Sequence, residues 1–431
     1  MGLIQALYWF AFVALLLFSW SRSRGILHPH FMFCTMLFIL ASDFMIRGMD
    51  DQQLQGIMSA DLIRYQLVTL ATLIGIGLST MAIRRPYELT GRILQPEMKI
   101  SRATAYGILI FGVAIFVIHQ SFRLAAVDWS LDQLFQQMLG PRDTRLWDQL
   151  GASGTRDPVY QLLNGMVPLV ATSFAFLIFA SKGGTAVFGA AMFLLSGAVL
   201  VTDGSRTQAI IPMASLAVFG MMSLRSKVAK FVLVGGVVAL MAAATSAMIL
   251  FRAQGLEGSN SSFSLTYHQD DSIYRIWSAA AFADFSAYRW DPLQFFYYVI
   301  ALPVPRILWS GKPLLDEDFY SGFKLWYVTT TFMGEWISML GVWLGFMASF
   351  VFGNLVYRVL YLAQRLLAMP FGVPAYLLVA LYTYMILRSM PNMTSFIFAP
   401  AAALILVYFA RRRKNASPPV AATRGSPAWS N

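Results

Sequence analysis

Apolar residues fall along this chain in eleven long runs, separated by short charged segments, at roughly 4–20, 28–46, 62–82, 104–121, 159–180, 185–202, 208–224, 230–251, 328–356, 372–389 and 394–410. A run near 20 residues is long enough to cross the hydrocarbon core of a bilayer as a helix. The pattern therefore predicts an all-α polytopic membrane protein with eleven transmembrane helices. Residues 1–414 form one integral membrane domain, and 415–431 form a disordered-type tail rich in Ala, Ser and Pro. Two longer polar segments interrupt the rhythm, 122–158 and 252–327. The chain is organised around the second, from Arg252 to Glu335. Within it, DPLQFFYYVIALPVPRILW (Asp291–Trp309) is apolar but too short and too Pro-broken for a span. It predicts an interfacial or re-entrant helix, serving as an anchor or as the lateral entry for a polyprenyl tail.

Composition agrees: 58% of residues are hydrophobic and 12% charged, about half the charge fraction of a soluble domain. The lone Cys34 lies inside an apolar run, which excludes an internal disulfide and any thiol motif. A net charge of +11 raises the question of nucleic acid, and its distribution answers it. The first run is followed by SRSRG, which orients it N-terminus out and makes it a retained span, not a cleaved signal peptide. Alternation then gives the inside loops and tail eighteen basic residues against two acidic ones, Glu88 and Glu97. The basic balance is a topology signal, with a periplasmic N-terminus, a cytoplasmic C-terminus and a large periplasmic loop between helices eight and nine. Membrane lipids are expected partners and nucleic acid is not.

No P-loop, GxGxxG, HExxH, CxxC pair or GxSxG is present, so nucleotide, dinucleotide and zinc chemistry lack support. No metal and no cofactor is expected. Any chemistry falls to outside-facing Arg, His and carboxylate groups. GSRT at 204–207 either caps a helix with Ser205 while Arg206 reaches the headgroups, or sets Arg206 beside a helix N-terminus as a phosphate site. Arg252 and Arg306 invite the same two readings, because a guanidinium fork matches phosphate oxygens. Glu335, after a run of three Thr, either forms a salt bridge or serves as a general base. His268, alone in mid-loop, and His119, before Arg123, are further candidates, as are Arg275 and Arg289. The adjacent Asp50 and Asp51 form a rival carboxylate pair in the first outside loop.

From about 200 to 400 these residues carry a family resemblance. TDGSRTQAIIP, FRAQG, LPVPRILWSGKPLLDEDFY, TTTFMGEWISMLGVWLG and LRSMPNMTSF resemble, in type and order, the bacterial O-antigen and repeat-unit polymerases (Wzy-type), with a layout nearest the enterobacterial common antigen branch. The paired R-x10-G spacing of some members has no counterpart from any outside Arg here. The resemblance implies a GT-C-like fold and a metal-independent glycosyltransferase in the bacterial inner membrane, with its active site facing the periplasm. Its substrates would be undecaprenyl-diphosphate-linked oligosaccharides, and a chain-length regulator and a flippase would be partners. The diphosphate clamp would fall to Arg206, Arg252, Arg306, Lys312 and Arg388, and the base to Glu335 or His268. Two other readings stand beside it: an O-antigen ligase, and a flippase or exporter of lipid-linked oligosaccharide. Mid-span ionisable groups are scarce, which disfavours transport.

Overall fold

A computed structural model describes residues 2–23, 25–47, 59–82, 100–139, 158–202, 206–253, 272–285, 291–301, 304, 309, 330–369, 371–390 and 397–416. Among these residues there are helices and turns but no strand. The helices are α1 Gly2–Ser23, α2 Pro29–Arg47, α3 Ser59–Ala82, α4 Arg102–Ala125 and α5 Leu131–Leu139. Next come α6 Pro158–Ala180, α7 Gly184–Thr202, α8 Arg206–Ser223 and α9 Lys227–Ala253. The last six are α10 Ser272–Phe285, α11 Pro292–Ala301, α12 Phe332–Leu340, α13 Val342–Ala363, α14 Gly372–Arg388 and α15 Phe398–Ala416. Seven described helices are long and apolar enough to cross a membrane. Their outward faces carry large apolar side chains such as Phe10, Val187 and Leu344, a surface that suits lipid and would be a liability in water.

The boundaries follow local chemistry. Pro29, Pro158 and Pro292 each stand at the first helical position, where a missing N–H costs nothing. Ser101 caps α4 by accepting a hydrogen bond from the Thr104 amide at 3.1 Å. Asp291 caps α11 through the Leu293 amide at 2.9 Å.

Two groups of helices share the core. α1, α2, α3 and α13 pack together on one side, and α4, α6, α7, α8 and α9 on the other, while α14 and α15 join them. Side-chain contacts set the directions. Tyr8 of α1 donates to Gln66 O of α3 at 3.1 Å, and Trp9 donates to Met45 O of α2 at 2.6 Å. At the other end His30 joins Ser19 Oγ at 2.6 Å and Gly77 O at 2.9 Å. α1, α2 and α3 therefore alternate in direction. α13 runs parallel to α3, since Arg64 lies over Trp343 while Ser79 bonds Asn354. The end holding Ser19, His30 and Gly77 is the basic end, with Arg22, Lys182, Arg225, Lys227, Lys230, Arg358 and Arg365 at the helix termini there. The opposite, mixed-charge end holds Asp43, Asp61, Arg64, Asp284, Glu335 and Arg388.

Two elements depart from the hydrophobic pattern. The run 328–356 is not one helix. Gly341, at φ 81° and ψ 175°, ends α12 and starts α13, a conformation that favours glycine. The chain doubles back there, so that Gly345 lies against the Ile337 backbone, and Phe332 and Trp336 pack on Phe352. α12 thus runs antiparallel alongside α13 and does not extend it. The second departure is α10. It lies inside the stretch expected to be an extramembrane loop, yet Ile273, Tyr274, Ile276, Trp277, Ala279 and Ala280 are all buried, between α2, α3 and α12.

Candidate functional site

The mixed-charge end is where most of the described candidates gather. Arg206 opens α8, Arg252 is the penultimate residue of α9, and Arg388 closes α14. α8 packs on α9, and α14 packs on both α6 and α8. His268, Arg289, Arg306 and Lys312 lie outside the described residues, as do Asp50, Asp51 and the Ser205 cap.

Glu335 is 2% exposed, on the first turn and a half of α12. Its carboxylate accepts the Ser389 hydroxyl at 2.6 Å and the Met390 amide at 2.8 Å, one on each oxygen. Burial of a carboxylate is tolerated where donors replace its water, and both oxygens are so provided. The sequence admits a salt bridge for this residue; its partners in the structure are a hydroxyl and an amide. Its geometry fastens α12 to the end of α14.

Arg275, expected within the extramembrane stretch, sits on α10 and is itself buried. The apolar face of SIYRIWSAAAFADF is covered by α2, α3 and α12. The helix is held by specific polar contacts as well. Asp43 Oδ2 accepts the Ile273 amide at 3.0 Å, and Trp277 Nε1 donates to Thr69 Oγ1 at 3.2 Å. Phe44 meets the rings of Tyr274 and Trp277 edge-on.

His119 and Arg123 come together on α4. Arg123 is fully buried, its Nε donates to the Tyr160 hydroxyl at 3.1 Å, and the His119 ring stacks on Tyr160 at 5.3 Å. Gln120 Nε2 meets His119 Nδ1 at 3.1 Å. The two rings and the guanidinium tie the end of α4 to the start of α6. This cluster does not share a described contact with Glu335.

A further set went unread in the sequence. Arg64 Nη2 donates to Asp284 Oδ2 at 2.6 Å, and the Tyr65 hydroxyl donates to the same oxygen. Asp61 lies 3.5 Å from Arg64, and the guanidinium stacks over Trp343 at 5.7 Å. Only one signal pointed to it: a lone Asp closing an apolar stretch too short to be a span. No family model matches the chain, and neither a curated protein nor a solved structure matches it.

Proposed function

We propose that this chain polymerises lipid-linked oligosaccharide repeat units. It transfers glycan from an undecaprenyl-diphosphate donor to the non-reducing end of another lipid-linked repeat. On this reading it crosses the bacterial inner membrane eleven times, with the mixed-charge end facing the periplasm. One observation carries the reading: Arg206, Arg252 and Arg388 terminate three helices at the same, mixed-charge end. The quoted motifs from about 200 to 400 support it from the sequence side. Arginines fixed at helix ends suit a diphosphate leaving group, because their planar donors match its oxygens and stay charged throughout. Arg306 and Lys312 would complete the clamp. Orientation of the anomeric carbon against the acceptor then supplies the remaining advantage.

The test is the polysaccharide ladder of a deletion strain complemented with wild type or with Arg206→Ala, Arg252→Ala or Arg388→Ala. Loss of one oxyanion-stabilising donor costs roughly 10²–10³-fold in rate, so each variant should leave core plus a single repeat. A full ladder in all three at equal expression refutes the clamp. A deletion that keeps polymer on the lipid carrier points to a ligase, and one that loses all surface glycan points to a flippase.

A further inference from the structure

On the polymerase reading, some group must take the proton of the acceptor hydroxyl, and the geometry limits which. Glu335 is poorly suited. It is 2% exposed and each of its oxygens already receives a donor. A general base has to come within hydrogen-bond reach of the proton it removes, and a buried, doubly engaged carboxylate that fastens two helices has no free face.

Asp284 differs on each count. It is the penultimate residue of α10 at the mixed-charge end, with its side chain 29% exposed. Both neighbours that hold it, Arg64 and Tyr65, use the same oxygen, Oδ2. Oδ1 is not engaged by either. Two donors from α3 thus fix the carboxylate while its second oxygen stays open, which is how a base is held in one orientation. The surroundings bear on the ligand. Asp61, Arg64 and Asp284 carry a formal charge of −1 together, so the cluster repels a diphosphate and suits a neutral, hydroxyl-rich ligand. Trp343 lies beside it with its side chain more than half exposed, and an indole face accepts the apolar face of a sugar ring.

We propose that Asp284 is the acceptor-side base, in a glycan subsite formed by Asp61, Arg64, Tyr65, Asp284 and Trp343. In the step, Asp284 Oδ1 takes the proton of the acceptor hydroxyl. The freed oxygen pair forms the new bond to the donor's anomeric carbon. The bond from that carbon to the diphosphate breaks with its electrons on the leaving oxygen, and undecaprenyl diphosphate departs as the anion. Asp284 then returns the proton to water. Anionic donor and hydroxyl acceptor are thereby received by groups of opposite charge.

The experiment uses the full chain in nanodiscs with lipid-linked repeats as substrate, read as chain length on a gel. Asp284→Asn keeps an oxygen for Tyr65 and Arg64 but cannot accept the proton, so it should stay folded and lose at least ~100-fold in rate, the lower range for general-base catalysis. Glu335→Gln should stay within about tenfold of wild type, since it keeps an acceptor for Ser389 and removes no base in this scheme. Formate should restore part of the turnover of Asp284→Ala, a result that a tie between helices would not give. An Asn variant within about threefold of wild type, or an Ala variant that formate cannot rescue, overturns the assignment and leaves the polymerase reading standing. A wild-type protein that makes no chain overturns both.

Discussion

Substituting Gly345 by Ala tests whether α12 is seated as described. A β-carbon at that position would stand 2.4 Å from Ile337 Cα, 2.7 Å from its N and 2.9 Å from its Cγ1. Carbon atoms in contact need about 3.5–4.0 Å, and the obstacle is backbone, so α12 must retreat by about 1 Å. The Glu335 bonds to Ser389 and Met390, at 2.6 and 2.8 Å, would stretch to about 3.6–3.8 Å, beyond hydrogen-bond range. Overpacking costs about 1–3 kcal/mol, and weakening bonds to a buried carboxylate adds about 1.5–3 kcal/mol. Better helix propensity returns less than about 1 kcal/mol. The net is about 2–5 kcal/mol. Gly107→Ala is the control, since nothing lies within 4 Å of its position; it should be neutral or slightly stabilising. Thermal unfolding of both variants in the same lipid mimetic should separate them by about 4 °C, from the usual unfolding entropy per residue. Equal midpoints would mean that Ile337 does not lie against Gly345, and the doubling back at Gly341 would be wrong.

Trp277→Ala should lower stability by about 3–5 kcal/mol, the usual cost of emptying an aromatic site. Trp277→Phe should cost about 1 kcal/mol through the lost bond to Thr69, read by the same unfolding assay. Asp43→Ala removes the acceptor of the Ile273 amide and should cost about 0.5–2 kcal/mol. Hydrogen exchange should then rise first at the start of α10 and not elsewhere. Tyr160→Phe leaves the Arg123 Nε without its hydroxyl, a loss of about 1–3 kcal/mol, measurable as a lowered midpoint with helix content unchanged.

The apolar runs made most of the long helices legible, because a segment near 20 residues in lipid has little choice but to close its own backbone bonds. α1 to α4, α6 to α9 and α13 to α15 all fall on those runs. What periodicity could not reveal was length within a run. TTTFMGEWISMLGVWLG is mostly apolar after its three Thr, with Glu335 and Ser338 the polar exceptions, and Gly341 marks the turn inside it. α10 was hidden differently: fourteen residues, Arg275 and Asp284 among them, are too few for a span, and a helix buried along most of its length carries no clear amphipathic stripe. Glu335 stood out as a carboxylate amid apolar residues, but its partners Ser389 and Met390 are 54 and 55 positions away. Asp284 and Tyr65 are separated by 219. No local pattern reports such pairs.

The short helices bring a problem that the long ones lack, and the answer explains much of the polar chemistry at the mixed-charge end. A helix that ends inside a bundle leaves amides or carbonyls that water cannot reach, and each must find a protein partner. At the start of α10, Asp43 supplies an acceptor from α2, and its negative charge also suits the N-terminal dipole. At the start of α12, Thr331 caps from its own chain, its hydroxyl accepting the Gly334 amide at 3.4 Å. Past the end of α14, the amide of Met390 is received by Glu335. Two of the carboxylates at this end, Asp43 and Glu335, are thus committed to backbone groups of interrupted helices. Asp61 and Asp284 answer to side chains, and of these Asp284 alone is held by two donors on one oxygen. Structure therefore accounts for the buried acids and leaves an exposed one as the candidate for chemistry, a division that Asp284→Asn and Glu335→Gln, compared for rate and for stability, would either reproduce or reverse.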